Sequence, residues 1–167
     1  LKLGQLHLLA SEPAKARERA DIILASAPQD TEGLILRGQS LIREREFEQG
    51  IAELKKAIEL DPKNIRIYID LARTSVQIKD YAAGEKALRR ALEIDPRSAE
   101  ARVAMGDFRL LTGKPADAEA EYKQALEMDP SNDTLYVRLA GFYQFRRNWA
   151  AAEGVYQKLV SLREKDE

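Results

Sequence analysis

Cysteine is missing from all 167 residues, which excludes disulfides, thiol nucleophiles and thiolate-bound metal together. Histidine is nearly missing too. His7 is the only one, and a metal centre needs several ligands at helical spacing, so no metal and no cofactor is expected. No apolar run approaches the roughly 20 residues needed to span a bilayer. Neither sign of charge dominates: 27 Lys+Arg stand against 28 Asp+Glu, a net charge of -1. Successive segments carry small charges that alternate in sign, so there is no basic footprint for nucleic acid or an anionic membrane. No nucleophile pairs with a base, and no two carboxylates can be argued into one site from spacing, so the chain is expected not to be an enzyme. It opens on Leu1 rather than Met, without a charged segment followed by an apolar stretch, so a fragment or processed form is expected. The lack of cysteine fits a cytosolic and an exported protein equally.

What the chain does have is a period. Pro28, Pro62, Pro96 and Pro130 lie 34 residues apart without slippage. Folding the sequence at that interval aligns Pro13, Phe47, Tyr81, Pro115 and Trp149 in one column. Ala16, Gly50, Gly84, Ala118 and Ala152 form a second; Gly4, Gly38, Ala72, Gly106 and Ala140 form a third. A fixed period of 20–50 residues means stacked supersecondary units rather than one closed core.

Each unit contains two helical stripes. In residues 65–98, Ile65, Tyr68, Leu71, Ala72, Val76 and Ile78 follow three-to-four spacing, Lys79-Asp80 interrupts, and Ala87, Leu88, Ala91, Leu92 and Ile94 resume it. The prolines must lie outside the helices, and the Asp-Pro-x-Asn/Ser segments at 61–64, 95–98 and 129–132 supply turn and N-cap chemistry for the next unit. Glycine inside a helix costs up to ~1 kcal/mol relative to alanine. Gly38 and Gly106 therefore imply a neighbouring helix too close for a larger side chain, with Gly50, Gly84 and Ala118 marking the matching spot on the second helix.

These small-residue columns, the aromatic opening the second helix and the closing proline resemble the tetratricopeptide repeat pattern over the whole chain. The resemblance implies an all-α fold, a right-handed α-solenoid of stacked antiparallel helix pairs. Its units would be a truncated repeat at 1–30, repeats at 31–64, 65–98 and 99–132, and a repeat at 133–167 without an evident capping helix. Arg37 departs from the pattern at an expected leucine, and Ser75 and Arg109 at an expected tyrosine.

By the same resemblance, the first helices line a concave groove for a partner's peptide or helix. Carried over by column, the lining is Ile35, Gln39, Ile42 and Arg43, then Arg66, Ile69, Asp70, Arg73 and Gln77. Val103, Asp107 and Leu110 follow, then Val137, Arg138 and Phe145. Family members that clamp a C-terminal carboxylate use lysine, asparagine and arginine where this chain has Ile35, Gln39, Asp70, Glu100 and Ala104, so that ligand is not expected. An aliphatic floor with charges of both signs suits an amphipathic helix or extended segment of mixed charge.

The expected function is thus a non-enzymatic protein-interaction scaffold. Alternatives are a structural spacer that self-associates through uncapped ends, or the regulatory arm of an enzyme whose catalytic domain lies elsewhere. Bacterial family members of the cell envelope resemble this chain, and cytoplasm and envelope both fit. No nucleic-acid partner and no membrane insertion are expected.

The remaining motifs have plain readings. His7 should be a packed helix-pair residue, and Trp149 should pack in the core. Arg43-Glu44-Arg45-Glu46 should be a solvated helix end with local ion pairs. Thr112-Gly113-Lys114-Pro115 lacks the outer glycine and following Ser/Thr of a phosphate loop and reads as a turn. Asn132-Asp133-Thr134 matches a glycosylation triplet but falls in the inter-repeat turn. Leu6, Phe142, Phe145 and Val155 would leave sticky ends, and Arg163-Glu164-Lys165-Asp166-Glu167 offers no polar cap. We therefore expect more repeats on at least one side in the natural protein.

Overall fold

A computed structural model describes residues 1–164, and the last three residues of the acidic-basic run at the end lie outside them. The described residues form ten α-helices and no strand. They fall into two compact units, Leu1–Ile94 and Asp95 onward. The first unit holds α1 (Lys2–Leu9), α2 (Pro13–Ser26), α3 (Thr31–Arg43), α4 (Phe47–Leu60), α5 (Ile65–Gln77) and α6 (Tyr81–Ile94). The second holds α7 (Ala99–Leu111), α8 (Pro115–Met128), α9 (Asp133–Phe145) and α10 (Trp149–Arg163). Helices pair in chain order, α3 with α4 and α5 with α6 in the first unit, α7 with α8 and α9 with α10 in the second.

Local chemistry sets where each helix begins and ends. Asp30 accepts from the Gly33 N–H at 2.6 Å, Ser98 from Ala101 at 3.1 Å and Asn148 from Ala151 at 3.2 Å, each satisfying an orphan donor of a first turn. Asn64 stands at the start of α5 but makes no side-chain cap bond. Between the two helices of every unit the chain turns through one left-handed residue: Ser11, Arg45, Lys79, Gly113 and Arg147, with φ between 55° and 76°. The following N–H then reaches back across the helix end, as from Asp80 to the Ser75 carbonyl and from Lys114 to the Arg109 carbonyl, both at 2.8 Å. That six-residue closure satisfies carbonyls that would otherwise be orphaned. The inter-repeat turns are pinned differently: Tyr68 Oη donates to the Pro62 carbonyl at 3.1 Å and Tyr136 Oη to the Pro130 carbonyl at 3.0 Å.

Packing within a pair follows the small-residue columns. A Cβ on Gly50 would lie 2.6 Å from Ile42 Cγ1 and 2.9 Å from the Gly38 carbonyl oxygen, a backbone atom that cannot swing away. One on Gly106 would meet the Tyr122 ring at 2.6 Å. Helix-helix contact this close leaves room for no methyl group, which explains the mid-helix glycines. Leu24, Leu34, Ile35, Leu54, Ala57 and Ile67 form the main cluster of the first unit. Ala118, Tyr122, Leu139, Phe142, Tyr143 and Ala152 form that of the second, where Phe142 stacks at a tilt between Tyr122 and Tyr143.

Three expectations need correction. Trp149 is not core: it is 64% exposed, because it is the first residue of α10 and burial begins a turn later at Ala152. Phe142 is buried rather than sticky, since it points into the cluster with Tyr122, and Val155 is half-buried beside it. Among the described residues, Glu44 and Glu46 form no local pairs. Both reach Arg17 of the preceding repeat, at 2.8 and 3.1 Å. His7 is a half-buried residue of the α1–α2 pair, as expected, and its Nδ1 lies 2.7 Å from Glu12 Oε2 at the start of α2. With Lys15 the larger influence and His7 the second, the Glu12 carboxyl is held below its ordinary range.

Candidate functional site

The groove expected from the repeat pattern lies on the first helix of each pair, and its residues do not play one role. In the first unit Ile35 and Ile69 are buried, at 7% and 0% exposure, so they form a floor and offer a partner little surface. Gln39 of α3 donates through Nε2 to Asp70 Oδ2 of α5 at 2.6 Å, and Arg73 Nη1 stands 3.7 Å from the other oxygen. Gln39 and Asp70 thus bind successive first helices to each other. Ile42 is half-buried against the apolar cluster. Arg43, Arg66, Arg73 and Gln77 are exposed. Ile35, Gln39 and Arg66 meet Gln5, Glu32 and Asn64 around a polar niche of about 10 Å³, room for one water at most.

In the second unit Val103 and Leu110 are half-buried against the apolar cluster, while Val137 and Phe145 are 50% and 70% exposed. Asp107 of α7 accepts from Tyr122 Oη of α8 at 2.7 Å and lies 3.5 Å from Arg138 Nη1 of α9, so one carboxylate ties three helices. Burial first, and the Asp107 bond second, push the Tyr122 hydroxyl well above its ordinary range. This phenol stays neutral and donating.

The first unit also carries an ionic bridge that the pattern could not foresee. Arg37, standing where leucine was expected, donates to Glu53 of α4 from Nη2 at 2.6 Å and reaches Asp21 of α2 at 3.4 Å. Burial opposes the charged form of both partners, yet their mutual hydrogen bonds prevail: the Glu53 carboxyl is lowered and the Arg37 guanidinium raised.

Sequence reasoning missed one surface. An open cleft of about 520 Å³ on α10 is lined by Gln144, Trp149, Glu153, Tyr156 and Val160. The signal was available in the column of Trp149, where Pro13 and Pro115 mark the first turn of a helix rather than its buried stripe. No group of three or more His, Cys, Asp or Glu among the described residues could hold a metal ion, and no helix among them is long and apolar enough to cross a membrane.

Models of the tetratricopeptide repeat match residues 41–106 and 109–167, and a second such model matches residues 1–65. No curated protein matches this chain. Among solved structures, the thermophilic TPR protein TTC0263 of Thermus thermophilus is 21% identical with a TM-score of 0.82, over 99% of this chain and 91% of that one. PilF of Pseudomonas aeruginosa is 18% identical with a TM-score of 0.77, over 96% and 73%. MamA (41-end) of Desulfovibrio magneticus RS-1 is 16% identical with a TM-score of 0.69, over 99% and 94%.

Proposed function

Because the chain belongs to the tetratricopeptide repeat family, we propose that it is a non-enzymatic protein-interaction scaffold whose first helices take a peptide or helix of a partner protein. One observation carries the reading. On the exposed face of α3 and α5, Arg43 and Arg66 have no ion-pair partner among the described residues, and the nearest carboxylate to Arg73 is the 3.7 Å contact to Asp70. Uncompensated cations fixed on rigid helices favour carboxylates placed against them, and steer their approach. In the second unit the corresponding face offers apolar side chains instead, Leu111 on α7 with Val137 and Phe145 on α9. Each face is matched by its own chemistry: acidic residues of a partner for that of the first unit, and apolar ones for that of the second.

The test must avoid Asp107 and Asp70, whose carboxylates hold helices together. Affinity capture with the parent chain is compared with capture by Arg43→Glu/Arg66→Glu, two exposed positions without an ion pair among the described residues, with equal helix content checked by circular dichroism. A partner retained by the parent and lost by the variant supports the reading. Identical capture by both would remove the first-unit face from consideration.

A further inference from the structure

One set of positions recurs three periods apart with opposite chemistry. In the first unit, Arg37 of α3 bridges the second helices on either side of it, donating to Glu53 of α4 at 2.6 Å and reaching Asp21 of α2 at 3.4 Å. Moved on by three 34-residue periods, Asp21 becomes Lys123 of α8, Arg37 becomes Leu139 of α9 and Glu53 becomes Val155 of α10. The ionic bridge has no counterpart in these side chains. An open cleft of about 510 Å³ stands in its place, with Lys123, Leu139 and Val155 in its lining. Leu126 and Tyr136 extend the apolar wall, and the Tyr136 hydroxyl is already spent on the Pro130 carbonyl. Gly154 widens the space, since a Cβ there would meet nothing within 4 Å.

The cleft does not owe its openness to α10 standing last among the described helices. The matching recess of the first unit, lined by Arg37, Gln49, Ala52 and Glu53, is open to about 430 Å³ although α5 and α6 follow it. What differs is the lining: charged in the first unit, aliphatic in the second. Around the second cleft, charge is carried by Lys123, Lys158 and Glu127, all exposed. Lys123 is paired with Glu119 at 2.6 Å, whereas Lys158 has no ion-pair partner among the described residues.

We propose that this cleft binds an aliphatic monocarboxylate, a medium-chain fatty acid, with its chain on Leu126, Leu139 and Val155 and its carboxylate at Lys158. The volume falls in the range of small-molecule sites, which are lined mainly by apolar side chains with a few polar groups to fix orientation. Covering that wall removes apolar surface from water, and an unpaired cation selects a carboxylate over an ammonium head. The first-unit recess takes no such ligand, because an alkyl chain there would desolvate Arg37 and Glu53.

Isothermal titration of the 167-residue chain with decanoate, below its micelle threshold, should show one site per chain. A Kd of about 0.1–1 mM is expected for a ligand this small. Gly154→Leu should weaken binding at least ~10-fold by placing its own side chain in the cleft, without lowering the thermal midpoint, since leucine is the better helix former. Gly141→Leu is the control, because Gly141 on α9 also has open space around it but does not line the cleft. Lys158→Glu should weaken decanoate ~5-fold or more and strengthen decyltrimethylammonium, a cation with a matching chain. No saturable binding, Gly154→Leu binding like the parent, or a parent that takes the cation as tightly as the carboxylate would each overturn the proposal. Arg43→Glu/Arg66→Glu should bind decanoate like the parent, so this site and the partner-binding face stand or fall separately.

Discussion

Glu53 is a carboxylate at 8% exposure in a helix interface, and only its partners make that tolerable. Arg37 arrives from α3 at 2.6 Å and Lys56, one turn along α4, at 2.9 Å. Burial alone would raise the Glu53 pKa, but the two hydrogen-bonded cations outweigh it and the folded value lies below the ordinary one. A lowered folded value means that its stabilisation is complete above the unfolded pKa and is lost as pH falls through the folded pKa. The first unit should therefore lose stability below about pH 4.5. In Glu53→Gln, chemical denaturation at pH 7 should show a loss of roughly 1–3 kcal/mol, since half-buried Arg37 loses its closest carboxylate and keeps Asp21 at 3.4 Å. On the acid side of about pH 4.5 the same variant should fall less steeply than the parent. Parallel acid limbs in the two proteins would show that Glu53 does not carry the effect. The arginine was conspicuous in the sequence as a break in the pattern. Its partner was not, because the other units hold Arg19, Ala87, Glu121 and Val155 at the position of Glu53, and so mixed a column carries no signal.

At the level of elements, the turn between paired helices shows where sequence reading succeeds and where it stops. The 34-residue period, the helix pairs and the close glycine contacts were legible, because each is written as a repeated residue type. The left-handed turn residue recurs with the same period, yet the position holds three cations, Arg45, Lys79 and Arg147, with Ser11 and Gly113, and of these types only glycine favours that backbone. The backbone there is dictated by closure of the preceding helix, and the residue merely accommodates it. Only Gly113 does so without steric cost. Gly113→Ala should thus cost about 1–2 kcal/mol, although nothing lies within 4 Å of the added Cβ, because the penalty is in φ and not in space. Lys79→Gly should act in the opposite sense and raise the urea midpoint, by up to about 1 kcal/mol of stability. If both substitutions were neutral, the turn would not be held left-handed. Trp149 was misjudged for a related reason: its column marks the first residue of a helix, and the buried stripe starts one turn further on.

For the molecule as a whole, the groove columns were legible but their division of labour was not. Column position fixes which face a residue occupies. It cannot say that Gln39 and Asp70, or Asp107 and Arg138, have found each other across successive helices and joined the scaffold, while Arg43 and Arg66 have not. The same locality governs stability. Each unit has apolar clusters of its own, with Leu54 in the first unit and Tyr122 in the second, and within a unit contacts run mainly between helices adjacent in the chain, with α1–α3 and α3–α5 besides. Arrays built this way lose structure locally, with a defect felt most by adjacent repeats. Leu54 is completely buried, so Leu54→Ala should cost about 2–5 kcal/mol through lost burial and the cavity left behind. By native-state hydrogen exchange, that loss should appear as faster exchange in α3, α4 and α5 before it appears in α8 and α9. Tyr122→Ala should give the reverse order, because it removes both the ring between Gly106 and Phe142 and the hydroxyl on Asp107. Equal acceleration of all ten helices by either variant would mean that the chain unfolds as one cooperative block, and the local account of its stability would fail.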